Sequence, residues 1–89
     1  MILYEKDVKK SVKKGIIPKN VFRRFNNAFI ALDNTNDLGL FDTKKLKSSE
    51  QRTYYRLRKG KYRAIFYIEN EDYYVISIAK REEVYQPWE

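Results

Sequence analysis

Three strand-like runs in the second half of the chain limit most strongly what it can fold into. Apolar and polar residues alternate over Thr53 to Arg58, Lys61 to Glu69 and Tyr73 to Lys80. This two-residue period is typical of strands with one buried face. The runs are separated by Lys59-Gly60 and by Asn70-Glu71-Asp72, and both separators are typical of tight hairpins. The pattern therefore predicts three consecutive antiparallel strands.

Two helices are predicted before these strands. Asp7 is suited to cap a helix that carries Val8 and Val12 and ends at Gly15. The segment Pro18 to Asp33 predicts a second helix, because its large apolar residues recur at steps of three and four. These residues are Phe22, Phe25, Phe29 and Leu32. The second helix thus has an apolar stripe that a sheet can cover.

The remaining segments complete the predicted fold. Ile2 to Tyr4 predicts a short first strand, whereas Asn34 to Arg52 is rich in turn formers and polar residues and is interpreted as a mostly irregular connection. A chain of 89 residues is long enough for one core. We therefore expect a single α+β domain over residues 1–89, ordered β-α-α-β-β-β, in which two helices pack on one face of an antiparallel sheet.

Alternation also assigns side chains to the two faces of the sheet. The set expected to pack on the helices is Tyr55, Leu57, Tyr62, Ala64, Phe66, Ile68, Tyr74, Ile76 and Ile78. The opposite face receives Tyr54, Arg56 and Arg58 from the first of the three strands, Arg63 from the second and Arg81 near the end of the third. Four arginines are then expected on one surface.

A surface with four arginines has two explanations. Like charges on neighbouring strands repel each other, and the planar guanidinium fork is well suited to phosphate, so the set predicts an anionic ligand. A solvated face on which the arginines pair with Glu50, Glu69 or Glu82 explains the same spacing equally well.

Composition favours the first explanation and narrows the chemistry. The formal net charge of +7 suits a polyanion such as nucleic acid, and the eight tyrosines suit base stacking, although rings of this kind are often core. The absence of Cys and His excludes disulfides, thiolate zinc sites and histidine acid-base catalysis. No apolar run has the length of a membrane span, so we expect a cytoplasmic protein.

The segment Thr53 to Tyr85 resembles the RelE/ParE toxin superfamily. Its members are similar in an Arg-x-Arg-like element, a glycine turn, a Tyr-Arg pair and a basic residue before Val-Tyr. The corresponding residues are Arg56-Leu57-Arg58, Gly60, Tyr62-Arg63, and Lys80-Arg81 with Val84-Tyr85. Lys45-Leu46-Lys47 is similar to a Leu-Lys step before the sheet. The basic residue followed by Glu-Val-Tyr resembles the RelE-like mRNA interferase branch.

This resemblance implies the toxin of a type II toxin-antitoxin system. Its expected activity is ribosome-dependent endoribonuclease cleavage of mRNA without metal or cofactor, by attack of the 2′-hydroxyl on the adjacent phosphate. The residues that match catalytic positions are Arg56 and Arg63 at the scissile phosphate, Arg81 near the leaving group and Tyr85 stacked on a base. Further RNA-binding residues implied by the match are Arg58, Lys80, Lys47 and Tyr54. Lys80, Lys47 and Tyr85 are the candidates for the proton acceptor.

The resemblance also implies two kinds of partner. One is a cognate antitoxin that forms a hetero-oligomer with the toxin and blocks the arginines, and the other is the ribosome with its mRNA. No membrane partner is expected. Three other readings remain open: a ParE-like inhibitor of DNA gyrase, a non-catalytic nucleic-acid-binding module, and a toxin that only binds its antitoxin. If the ribonuclease reading holds, Arg63→Ala is expected to remove cleavage and leave thermal stability nearly unchanged.

Overall fold

The computed structural model describes residues 1–46 and 52–80. In these ranges the helices are α1 (Lys6–Lys13) and α2 (Lys19–Thr35), and a 3₁₀ turn spans Leu38–Leu40. The strands are β1 (Ile2–Tyr4), β2 (Thr43–Lys45), β3 (Tyr55–Lys59), β4 (Tyr62–Glu69) and β5 (Asp72–Lys80). The predicted α+β class, with helices covering one face of a sheet, is confirmed.

The strands form one sheet in the order β1-β5-β4-β3-β2. The pairings β2-β3, β3-β4 and β4-β5 are antiparallel, as the tight turns between β3 and β4 and between β4 and β5 require for those strands. β1 instead lies parallel to β5, so the sheet is mixed and not antiparallel throughout. The physical reason is that the helices carry the chain away from β1, and a strand followed by such a crossover is free to pair in parallel.

The connection after α2 is more ordered than its composition predicts. β2 pairs with β3 through Thr43 opposite Leu57 and Lys44 opposite Arg56. The 3₁₀ turn before it is held by the Asp37 carboxylate, which accepts the Gly39 N–H at 3.0 Å, and by the Thr43 hydroxyl, which donates to the Leu38 carbonyl at 2.7 Å. A strand of three residues is too short to show alternation, so the sequence pattern gave no sign of it.

The core lies between α2 and the middle of the sheet. Phe29 of α2 meets Phe66 of β4 edge to face, with ring centroids 5.1 Å apart, an arrangement that aromatic pairs favour. The buried side chains of this core are Val8, Ile17, Phe25, Ala28, Phe29, Leu32, Leu57, Ala64, Phe66, Tyr73, Val75 and Ile78. The stripe expected from the spacing in α2 is therefore the one that the sheet covers.

A β-bulge changes which residues of β5 face the helices. Ile65 pairs with Ser77, but the next pair joins Phe66 to Val75, so Ile76 is an extra residue in β5. An inserted residue reverses the alternation on one side of it. Tyr73 and Val75 are consequently buried in the core, and the expectation that Tyr74 and Ile76 would pack there is wrong.

The ends of the helices and the hairpins follow local residue chemistry. α1 begins at Lys6, so Asp7 lies in the first turn and is not the cap; a negative charge there is favourable to the helix dipole. α2 is capped at its C-terminal end by Asn36, which is left-handed with φ 54°. Asn70 and Glu71 have φ of 52° and 68°, as a two-residue hairpin turn needs. No helix in the described ranges is long and apolar enough to cross a membrane.

The hydroxyl of Tyr73 connects β5 to the end of α2. It lies 3.2 Å from the Leu32 carbonyl and 3.2 Å from the Asn36 side-chain oxygen, and it donates to them. Tyr73→Phe removes the hydrogen bonds that the buried Tyr73 hydroxyl donates to the end of α2, so we expect the free energy of unfolding to fall by about 1 kcal/mol. Urea unfolding measures this, with Tyr74→Phe on the opposite face as the control. Equal effects of the two substitutions would contradict the assignment.

Alkaline pH is expected to destabilise the fold through its buried phenols. Burial raises the pKa of Tyr4 and of Tyr73 above the ordinary value of 10.0. The unfolded chain therefore loses these protons first, and stability that is present below about pH 10 is lost as the pH rises through that value toward the folded-state pKa. Tyr4→Phe should reduce the loss of unfolding free energy between about pH 9 and about pH 11. An unchanged pH dependence would exclude Tyr4 as a source.

Candidate anion-binding site

Three arginines lie on the sheet face opposite the helices, and we call this surface the arginine face. Arg56 and Arg58 alternate with the buried Leu57 in β3, and Arg63 precedes the buried Ala64 in β4. Arg58 and Arg63 are direct cross-strand partners. Like charges in that position repel each other, so the arrangement needs either an internal counter-charge or an anionic ligand.

Asp42 supplies the internal counter-charge. One of its carboxylate oxygens lies 3.0 Å from the Arg56 Nη2, and the other contacts the Arg58 Nε. Its backbone carbonyl accepts the Arg58 N–H at 2.9 Å, which fixes the position of the carboxylate beside both guanidinium groups. The Arg56 side chain is 13% exposed and the Asp42 side chain 41% exposed. Asp42 thus occupies, from within the chain, a position that an anion could take.

Arg63 is the buried member of the arginine face. Only 5% of its surface is exposed, and its Nη1 donates to the carbonyls of Gly60 and Tyr62, each at 3.0 Å. Its Nε is buried and has no hydrogen-bond partner among the described residues. The side chain therefore stabilises the β3-β4 turn through Nη1, while its Nε–H is a buried donor without an acceptor among the described residues.

Tyrosines continue the arginine face toward the other end of the same strands. The rings of Tyr67 and Tyr74 are stacked 4.8 Å apart, and Tyr54 meets Tyr67 edge to face at 5.9 Å. The Arg52 guanidinium lies 3.8 Å above the Tyr67 ring and pairs with Glu69. A hydrogen bond with Tyr54, aided by the charge of Glu69, raises the pKa of Arg52. We call Tyr54, Tyr67 and Tyr74 the tyrosine row.

The other residues expected in the site are placed elsewhere or are not described. Lys80 pairs with Tyr62 in the register and lines a cavity with Ile16 and Ile17, so it lies toward the helices and away from the arginine face. Lys47, Arg81 and Tyr85 lie outside the described residues. The structure thus brings together Arg56, Arg58, Arg63 and, at the adjoining end, Tyr54.

Sequence reasoning missed two charged residues of this surface. Asp42 and Lys44 come from the segment that was interpreted as irregular, and the β2-β3 pairing brings them to Arg58 and Arg56. The acidic partner expected on this face was Glu50, Glu69 or Glu82. Glu69 pairs with Arg52, and Glu50 and Glu82 lie outside the described residues. An acidic residue just before Thr43 would have been a signal only if β2 had been recognised.

The arginine face has the chemistry of a phosphate site. Guanidinium groups donate parallel hydrogen bonds to phosphate oxygens and remain charged at every physiological pH. Three of them on one rigid sheet can hold an anion whose charge increases during a reaction. Within residues 1–46 and 52–80, no cluster of Asp and Glu side chains has the arrangement needed for a metal ion.

Comparison with solved structures identifies this architecture. The chain is similar to a structure of the RelB-RelE antitoxin-toxin complex from Methanococcus jannaschii, with 26% identity, a TM-score of 0.72 and coverage of 96% of each chain. It is also similar to the archaeal RelE-RelB complex from Pyrococcus horikoshii OT3, with 25% identity, a TM-score of 0.71 and coverage of 90% of this chain and 92% of that one. No family model and no curated protein matches the sequence.

These matches define the class as the RelE fold. The chain is a structural relative of the archaeal RelE toxins over nearly its full length, which confirms the resemblance seen in its second half. The structural neighbours are toxins of toxin-antitoxin systems, solved together with RelB antitoxins.

Arg63 and Arg58 are expected to differ in their effect on stability. Arg63→Ala removes a buried side chain with two hydrogen bonds to backbone carbonyls, so it should lower the free energy of unfolding by about 1–3 kcal/mol. Arg58 is half exposed, and Arg58→Ala should cost less than about 1 kcal/mol. Thermal and urea unfolding of both variants measure the difference.

The burial of Arg63 therefore does not fit the expectation from sequence that Arg63→Ala would leave stability nearly unchanged. Equal stability of the Arg63 and Arg58 variants would show instead that the contacts of Arg63 with the β3-β4 turn contribute little. In that case a loss of function on substituting Arg63 would be attributable to its charge alone.

Proposed function

We propose that this protein is the toxin of a type II toxin-antitoxin system and that it cleaves mRNA on the ribosome. The observation that carries the proposal is the convergence of Arg56, Arg58 and Arg63 on the sheet face opposite the helices in a RelE fold. In the proposed reaction a 2′-hydroxyl attacks the adjacent phosphate, the bond to the 5′ oxygen breaks, and translation of the damaged message stops.

The arginines would stabilise the charge that develops on the phosphate. Hydrogen-bond donors that are fixed in place before the reaction make the largest single contribution to the rate enhancement of many enzymes. Arg63 supports this role, because its buried Nε–H lacks an acceptor among the described residues. A buried donor without a hydrogen bond is unfavourable, and a phosphate oxygen would supply the acceptor. We assign the scissile phosphate to Arg56 and Arg63 and a flanking RNA contact to Arg58. Arg81 near the leaving oxygen and Tyr85 on a base complete the proposed set.

The tyrosine row would receive the bases that flank the scissile phosphate. Residues two apart in a strand are separated by about 6.8 Å, so Tyr54 lies one such step from Arg56 and two from Arg58 on the same face. Aromatic rings beside cations are the usual arrangement for single-stranded nucleic acid, because bases stack while phosphates pair. This neighbourhood supports RNA over an isolated small anion.

The same surface explains the proposed partners. An antitoxin segment that carries carboxylates would compete with RNA for the arginines and silence the toxin, and the formal net charge of +7 favours both polyanions. The two structural neighbours are complexes of RelE with RelB, which supports a hetero-oligomer with an antitoxin. Ribosomes and mRNA, the other proposed partners, would be met in the cytoplasm.

Mapping of RNA 5′ ends tests the proposal. We expect new ends at one place within codons when the protein is added to translating ribosomes, and few ends on naked RNA, because the ribosome holds the message in attack geometry. Arg58→Ala should reduce cleavage by up to about 100-fold, because loss of the flanking contact misplaces the scissile phosphate, with little change in folding. Arg23→Ala is the matched control, since Arg23 is exposed on α2, which packs on the opposite face of the sheet.

The outcomes separate the competing functions. No new ends with ribosomes, together with inhibition of DNA supercoiling, would replace the proposal by gyrase inhibition of the ParE kind. Salt-dependent RNA binding without new ends would leave a binding module. Equal activity of the Arg58 and Arg23 variants would show that the arginine face is not the active site.

A further inference from the structure

Cleavage by a 2′-hydroxyl needs a group that accepts its proton, and the positions expected from sequence do not supply one on the described part of the arginine face. Lys80 lies toward the helices, and Lys47 and Tyr85 lie outside the described residues. Arginine is a poor base because it stays protonated. A carboxylate, in contrast, is ionised at neutral pH and ready to take a proton.

Asp42 is the carboxylate that touches the arginine face among the described residues. It contacts both Arg56 and Arg58, and it is also partly open to solvent, with a side chain that is 41% exposed. Its position is set by the backbone, because its carbonyl accepts the N–H of Arg58 at 2.9 Å. A group bound to the phosphate-holding arginines and open to solvent lies within reach of an RNA placed on them.

We infer that Asp42 is the general base of the proposed ribonuclease, an inference that rests on the proposed function. The RNA takes over the guanidinium groups to which Asp42 is bound in the free protein, with the scissile phosphate at Arg56 and a flanking contact at Arg58. Binding of the substrate would thus release the carboxylate to act as the base.

In the proposed step one proton leaves the 2′-hydroxyl, one bond to phosphorus forms and one breaks. A carboxylate oxygen of Asp42 accepts the proton of the 2′-hydroxyl, and the 2′ oxygen forms a bond to phosphorus. The bond from phosphorus to the 5′ oxygen breaks, that oxygen takes a proton from water, and the hydroxide that remains takes the proton from Asp42. The products are a 2′,3′-cyclic phosphate and a free 5′-hydroxyl, with no oxidant, reductant or further reactant.

Asp42→Asn tests the assignment, with Glu71→Gln as the matched control. Both substitutions remove one negative charge, and Glu71 is exposed in the β4-β5 turn, away from the arginine face. We expect Asp42→Asn to slow single-turnover cleavage of ribosome-bound mRNA by about 100-fold or more. Its affinity for a short oligoribonucleotide should be equal or higher, because a competitor for the arginines is gone. Glu71→Gln should behave as the unsubstituted protein.

Formate rescue of Asp42→Ala separates a missing base from a damaged site. Formate is a small carboxylate that fits the space left by the side chain, and we expect it to restore part of the cleavage rate in Asp42→Ala and none in Arg58→Ala. Failure of the rescue, with RNA still bound, would overturn the inference. Unchanged or faster cleavage by Asp42→Asn would also overturn it, and faster cleavage would show that Asp42 only competes with the phosphate. If the unsubstituted protein makes no cuts, the proposed function itself fails, which the same assay shows directly.

Discussion

The contact between Phe29 and Phe66 is the interaction on which the arrangement of the molecule depends. Phe66 lies in β4, which pairs with both β3 and β5, and its ring also packs near Tyr55 and Tyr73 from those two strands. Through this contact α2 packs across β3, β4 and β5. Because one face of the sheet is committed to this core, the alternating side chains of the same strands are directed to the other face. The spacing of the arginines is a consequence of how the core packs.

The arginine face combines arrangements that are unfavourable to stability. A direct cross-strand pair of arginines is unfavourable, and a buried guanidinium needs acceptors for its donors. The chain meets these demands with its own groups: the Asp42 carboxylate lies between Arg56 and Arg58, and backbone carbonyls of the turn receive Arg63. These contacts keep the cations in place when no ligand is bound. A ligand that binds these arginines would have to replace their contacts within the protein by its own.

Elements with a long, regular pattern could be predicted from the sequence, and those that depend on a single pairing could not. α2 presents four large apolar residues at helical spacing, and the hairpin after β4 carries Asn70 and Glu71, so both were visible. The bulge at Ile76 was not, since the run Val75-Ile76-Ser77-Ile78 is apolar enough to alternate in either phase. The candidate site likewise has residues that could be predicted from the sequence and one that could not. The arginines followed from alternation and family resemblance, whereas Asp42 comes to them only through the three-residue strand β2.

The parallel pairing of β1 with β5 has a consequence for how the chain reaches its folded state. Ile2 and Tyr4 lie beside Tyr73 and Val75, and the terminal ammonium pairs with Asp33 and Asp72. β1 must therefore wait for β5, the last described strand, before the sheet can close. Contacts between such distant parts of a chain form slowly, and α1 and α2 have little to cover their apolar faces until the hairpins exist. Since β3 and β4, which carry the arginine face, belong to the same sheet, that surface is expected to reach its final form late in folding.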